Sequence, residues 1–139
     1  MIVDSSALLA ILLREEDAPR YVEALLAGGA EAGPPRIAAA NWVEAAMVAE
    51  GRGGLRAGRA LDALMAEADV EVVPVTAETA RLAREAWRVW GKGNHPAKLN
   101  LGDCFAYALA QERSEPLLYK GDDFARTDVR SALDAPGPG

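Results

Sequence analysis

The chain has 139 residues, 50% of them apolar and 26% charged, which is enough for one domain burying roughly two thirds of its unfolded surface and excludes disordered or collagen-like sequence. With 15 Lys and Arg against 21 Asp and Glu the net charge is −6, so a polyanion needs a local basic strip or a bound cation to be held. One cysteine, Cys104, and one histidine, His95, exclude an internal disulfide, a cysteine-based zinc site and any site requiring two histidines.

Met-Ile-Val-Asp opens the chain as a short strand ending in a carboxylate, and Ser5 or Ser6 stands where a helix over Ala7 to Arg14 wants its N-cap. The apolar run Ala7 to Leu13 follows no Lys or Arg and is far short of a membrane span, so it belongs to the fold and the expected compartment is the cytoplasm. Asp17 and Pro19 start a second helix that Gly28-Gly29 stops. A short strand is expected at Arg36 to Ala38, then helices over Ala39 to Glu50 and Leu55 to Ala68, broken at Gly51. The β-branched run Val70 to Val75 reads as a buried strand, and Thr76 caps a helix reaching Trp90. Gly, Asn and Pro make Gly91 to Leu101 a loop before a helix over Gly102 to Arg113, a strand at Pro116 to Tyr119 and a last piece around Phe124 to Leu133. Residues 135–139, Ala-Pro-Gly-Pro-Gly, are expected to be a disordered tail on a domain of residues 1–134. Alternating strands and helices argue an α/β fold, a parallel sheet covered on both faces that binds ligands beyond the carboxyl ends of its strands.

Acids occupy segments that otherwise look buried. Asp4 ends the first strand, Glu44 is the sole charge in Ile37 to Ala49, Asp103 is the sole charge in Leu101 to Ala110, and Asp122 and Asp123 follow the last strand. An ionised carboxylate buried alone costs several kcal/mol, so each must cap a helix, pair with a cation, stay neutral or hold a metal. Asp4 and Asp103 can be caps, Glu44 can close a capping box with Asn41, and Asp122-Asp123 can be a turn pair. Gathered in one crevice, two carboxylates about 4 Å apart repel by on the order of 4 kcal/mol and require protons or a divalent cation. An all-oxygen site is what Mg²⁺ or Mn²⁺ prefers.

The stretches MIVDSSALLAILL, NWVEAAMVAE, GKGNHPAKLNLGDCFAYALA and EPLLYKGDDFARTDV resemble the PIN-domain toxins of the VapC family, ribonucleases of bacterial toxin–antitoxin modules, over nearly the whole chain. The resemblance implies a three-layer α/β/α sandwich, a homodimer, and a Mg²⁺-dependent acidic site of Asp4, Glu44, Asp103 and an acid of the Gly121-Asp122-Asp123 turn, with Asp122 preferred over Asp123. It further implies RNA phosphodiester hydrolysis in which Asp4, Asp103 and Asp122 hold the metal while Glu44 orients or deprotonates water. Ser6 and Asp128 are supporting candidates. Restraint by a small VapB-like antitoxin is expected, its Arg or Lys pairing with Asp4 or Glu44 and its apolar tail covering Leu9, Leu12, Leu13, Tyr21, Val22 and Leu25.

Arg81, Arg84, Arg88 and Lys92 fall on one helix face leading toward Lys98, a strip that can track phosphate, and Lys120 and Arg126 border the acidic turn. Trp87 and Trp90, with Ala83, read as core on the adjoining side. Cys104 reads as a small buried hydrophobe, His95 as a residue fixing its loop, and Trp42 as packing. A housekeeping PIN nuclease without an antitoxin would use the same site. A phosphorelay receiver needs an acceptor Asp ending a middle strand, where this chain has Pro74-Val75-Thr76, and a haloacid-dehalogenase-like phosphatase needs Asp-x-Asp in place of Asp4-Ser5-Ser6. A non-catalytic partner-binding module is separated from all of these by a nuclease assay with Mg²⁺.

Overall fold

Four short strands, β1 (Ile2–Val3), β2 (Arg36–Ala38), β3 (Glu71–Val73) and β4 (Leu117–Leu118), pair in parallel in the order β3-β2-β1-β4. The structure is a computed structural model that describes residues 1–27 and 32–134. The expected Gly28-Gly29 helix stop and the 135–139 tail lie outside the described residues. Five helices connect the strands: α1 (Ser5–Leu12), α2 (Ala18–Leu26), α3 (Ala39–Glu67), α4 (Ala77–Trp90) and α5 (Leu101–Arg113).

Side chains alternate across a strand, and the alternation here builds two cores. Val3, Ile37 and Leu118 point into a cluster with Leu8, Leu25 and Leu61, under α1, α2 and α3. Ile2, Ala38, Val73 and Leu117 point the other way, onto Ala83, Leu109 and their neighbours under α4 and α5. The result is the expected α/β/α sandwich. Small residues at Ala83, Ala86, Ala106 and Ala110 let α4 and α5 lie close together over the sheet.

Several local expectations are corrected. The N-cap of α1 is Asp4, whose side chain accepts from the Ser6 N–H, so the helix starts at Ser5. Gly51 does not end α3; the break falls at Gly54, with φ 68° and ψ −165°, a conformation open to glycine. β3 is shorter than Val70 to Val75 and lies at the sheet edge with Glu71 and Val72 exposed. Trp87, expected in the core, is 49% exposed. Tyr21 and Leu25 are core residues closed to any partner, whereas Leu13 and Leu26 are exposed.

A helix that precedes a parallel strand runs against it, so the N-terminus of α5 lies at the carboxyl end of the sheet, as do the starts of α1 and α3, which follow β1 and β2. The chain leaves β1 toward β2, whereas beyond β4 it pairs on the far side through Leu117 and Ser131. β1 and β4 therefore flank a crevice at that end, the place where such sheets bind ligands.

Candidate active site

The expected acids come together at this crevice from four segments. Asp4 is pinned by its N–H, which donates to the Leu118 carbonyl at 2.9 Å, and its side chain is 2% exposed. Its Oδ2 accepts from the Ser6 N–H at 3.0 Å and the Ser6 hydroxyl at 2.6 Å, while its Oδ1 is buried without a donor. Asp4 is therefore a helix cap with one oxygen to spare. Burial pushes its pKa up to about 6, opposed by the Ser6 hydrogen bonds and reinforced by the nearby Glu44 charge.

Asp103 is likewise both cap and site acid. Asn100 is the N-cap of α5, its Oδ1 accepting from the Asp103 N–H at 2.9 Å, and the Asp103 Oδ2 accepts in return from the Asn100 N–H at 3.0 Å. Burial pushes Asp103 up to about 7, and Asp4, Asp123 and Glu44 push the same way. Of the turn, Asp123 is among the charges that raise the Asp103 pKa, and Asp122 and Asp123 are both exposed. Gly121, at φ 110°, makes the turn that carries both acids.

Glu44 sits on α3 rather than in a capping box, because that helix begins at Ala39 with Ala38 as its N-cap. The Ser5 hydroxyl donates to Glu44 Oε1 at 2.5 Å. Its carboxylate rests against Gly102, where a Cβ would lie 2.2 Å from Oε2. No other residue fits there without displacing Glu44. Asn41, fully buried, donates from Nδ2 to the Gly102 carbonyl at 2.8 Å and ties α3 to the start of α5. Sequence reading missed these positioning roles of Ser5, Asn41 and Gly102. A glycine beside an acid at a helix start was the visible signal for Gly102, whereas Asn41 was visible only as a capping candidate.

Of the supporting candidates, Ser6 is in place: its hydroxyl serves Asp4 and accepts the Lys120 N–H at 3.0 Å, linking β4 to the site. Asp128 is engaged elsewhere, accepting from the Tyr107 hydroxyl, to which the Trp90 indole N–H also donates at 3.2 Å. Lys120, expected on RNA, turns its ammonium to Glu15 and to Asp17 at 2.8 Å, contacts that push its pKa up. The Lys120 ammonium is thus engaged outside the acidic set. Arg88, Lys92 and Lys98 are exposed, and Arg81 pairs with Glu78. His95 fixes its loop, its Nδ1 accepting from the Ala97 N–H at 2.9 Å. Cys104 is buried, with its thiol pushed up to about 11 by burial, so it is an inert core residue.

These acids fit a hard divalent cation. The donor set is all oxygen, Asp4 Oδ1 has no donor of its own, and Asp4 and Asp103 hold protons too readily for ordinary carboxylates. Among the described residues no three His, Cys, Asp or Glu side chains form a group that could enclose a metal ion.

The PIN domain family matches residues 1–130. Ribonuclease VapC28 of Mycobacterium tuberculosis is 50% identical over 96% of this chain and 98% of its own length, and Ribonuclease VapC of Mycolicibacterium smegmatis is 47% identical over 93% and 97%. The chain belongs to the PIN-domain family, among the VapC ribonucleases. Solved structures agree on the fold: VapC20 of M. tuberculosis, described as a sarcin-ricin loop cleaving toxin, superposes with a TM-score of 0.73 at 18% identity, covering 92% of this chain and 95% of that one. A toxin–antitoxin complex from Klebsiella pneumoniae gives 0.64 at 20% identity, covering 91% and 92%. Among the described residues no helix is long and apolar enough to cross a membrane.

Proposed function

We propose that this PIN domain is a Mg²⁺- or Mn²⁺-dependent endoribonuclease toxin that hydrolyses RNA phosphodiester bonds and is restrained by a small VapB-like antitoxin. The observation that carries the reading is the donor-free buried oxygen of Asp4 beside Glu44 and Asp103, with the Lys120 ammonium engaged by Glu15 and Asp17. Asp4 and Asp103 would hold the cation, with an acid of the Asp122-Asp123 turn in support, and the ion when bound supplies the positive charge that a phosphodiester needs as negative charge builds on its oxygens. Asp4 is oriented by Ser6, and Asp103 by the backbone of Asn100. Glu44, held by Ser5 and seated on Gly102, is placed to accept the proton of the attacking water through its carboxylate.

The family resemblance and the toxin–antitoxin neighbour support an antitoxin partner. An Arg or Lys from it would find in the crevice the charge partner that Lys120 does not supply. The exposed apolar side chains of Val43 and Met47 beside the site favour a homodimer. The deciding experiment strips the purified chain with chelator and follows cleavage of single-stranded RNA as Mg²⁺ is restored. Cleavage should vanish and return with the ion, and the gene product encoded beside it should suppress the restored activity. Cleavage persisting in chelator would sink the metal assignment; failure of the neighbouring product to bind or inhibit would leave a nuclease without an antitoxin.

A further inference from the structure

Between α4 and α5 lies a cavity of about 420 Å³ that the acidic site does not use, with Ala83, Arg84, Trp87, Lys92, Leu101 and Phe105 in its wall. It shares Asn100, Leu101 and Phe105 with the groove that contains Glu44 and Gly102, so the two meet at the start of α5. One of its two aromatic side chains, Trp87, is half exposed. Its indole packs so closely on Gly91 that a Cβ there would lie 2.3 Å from Cδ1. Its carbonyl accepts from the Gly91 N–H at 2.8 Å and from Asn94 Nδ2 at 3.0 Å. At the rim, Arg84 and Lys92 are exposed, and no ion pair among the described residues engages either.

A half-exposed aromatic ring flanked by two unpaired cations is the combination that holds single-stranded nucleic acid, since any base can stack on the ring while its phosphate is neutralised beside it. In a chain of net charge −6 such a local cationic rim is what can attract RNA at all. The adjoining groove differs: Val43, Met47, Val48 and Phe105 line it without a cation, which suits an apolar protein partner instead. We infer that the α4–α5 cavity is a nucleobase subsite, in which one base of a single-stranded RNA stacks on Trp87 while the adjoining phosphate is held by Arg84 and Lys92. The strand then passes over Asn100 and Leu101 into the acidic cleft. The inference rests on the ribonuclease reading and deepens it by naming where the substrate is gripped.

The test is steady-state cleavage by the full chain of a single-stranded RNA and of a series in which one nucleotide at a time is abasic. In the wild type, one abasic position should raise KM roughly 5- to 100-fold, the range of base–aromatic stacking. Trp87→Ala should raise KM by a similar factor with kcat retained, and the sensitive abasic position should then cost nothing further. Trp87→Phe, which keeps a ring, should recover most of the loss. Arg84→Ala and Lys92→Ala should weaken binding evenly across the series and reduce its salt dependence. An unchanged KM in Trp87→Ala, or an abasic penalty undiminished in that variant, overturns the subsite. Loss of self-association with KM unchanged assigns the cavity to a second copy and equally overturns it. A wild type that cleaves no RNA refutes the nuclease reading beneath it, a result separate from every outcome that depends on Trp87.

Discussion

At the amino end of the sheet the acids are compensated: Glu115 accepts from the Met1 ammonium at 2.5 Å and lies 3.7 Å from the Arg36 guanidinium, whose Nε is 3.6 Å from Glu71. At the carboxyl end Glu44 raises the Asp4 pKa, and Asp4, Asp123 and Glu44 raise that of Asp103; among the described residues no ion pair engages any of the four, and Lys120 pairs with Glu15 and Asp17 instead. Charge left uncompensated where the strands of a parallel sheet end marks a place reserved for something that arrives from solution.

The largest contrast should come from neutralising one acid at each end. Asp103→Asn should reduce RNA cleavage to the level of the chelator-stripped protein, yet raise stability in metal-free buffer at pH 8 by about 1 kcal/mol or more, because each unit of upward pKa shift represents ~1.4 kcal/mol. Glu115→Gln should do the reverse, costing about 1 kcal/mol in denaturant unfolding, as a partly exposed pair does, with kcat and KM unchanged. Equal activity losses at the two ends would abolish the distinction between them.

A pH titration of stability sharpens the same comparison. The pKa values of Asp4 and Asp103 are raised from 3.8 to about 6 and about 7, so across that window the folded chain binds more protons than the unfolded one. Stability without metal should therefore be greatest at the acid side of the window and fall as pH rises through it. Mg²⁺ binds the ionised carboxylates and should flatten the fall. A metal-free chain whose stability rises from pH 5 to 7 contradicts the unpaired cluster.

The turn after β4 offers a finer comparison between neighbours. Asp123 is among the charges that raise the Asp103 pKa, so Asp123→Asn should weaken Mg²⁺ affinity by about 10-fold or more, the scale seen when a metal site loses a supporting group. Asp122→Asn should leave it nearly unchanged. Calorimetry of both variants decides, and the reverse order would restore Asp122 as the site acid.

How much of this was visible in the chain follows from the range of the interactions. Asp4, Glu44 and Asp103 stood out because an isolated acid in an apolar run has few tolerable explanations, and the covered parallel sheet followed from strands alternating with helices. The choice between Asp122 and Asp123 was not legible, since both lie exposed in one turn. Nor was the exposure of Trp87, because its helical spacing beside Ala83 and Trp90 matches a buried face. The direction of Lys120 depended on Glu15 and Asp17, more than a hundred residues away in sequence.

The smallest expected effects separate the two parts of Lys120. Its N–H supports Ser6, and through Ser6 Asp4, whereas its ammonium serves only the loop between α1 and α2. Ser6→Ala removes a hydrogen bond to a buried carboxylate, so cleavage at neutral pH should drop roughly tenfold, for about 1.5 kcal/mol, and the pH–rate profile should move to higher pH as Asp4 ionises less readily. Lys120→Met keeps the backbone N–H and discards two partly exposed ion pairs, which are worth about 1 kcal/mol or less. Its stability should fall slightly while the pH profile and KM for RNA stay where they were. A rise in KM with a weaker salt dependence would instead place the Lys120 ammonium on the substrate, and that cation would then belong to the site after all.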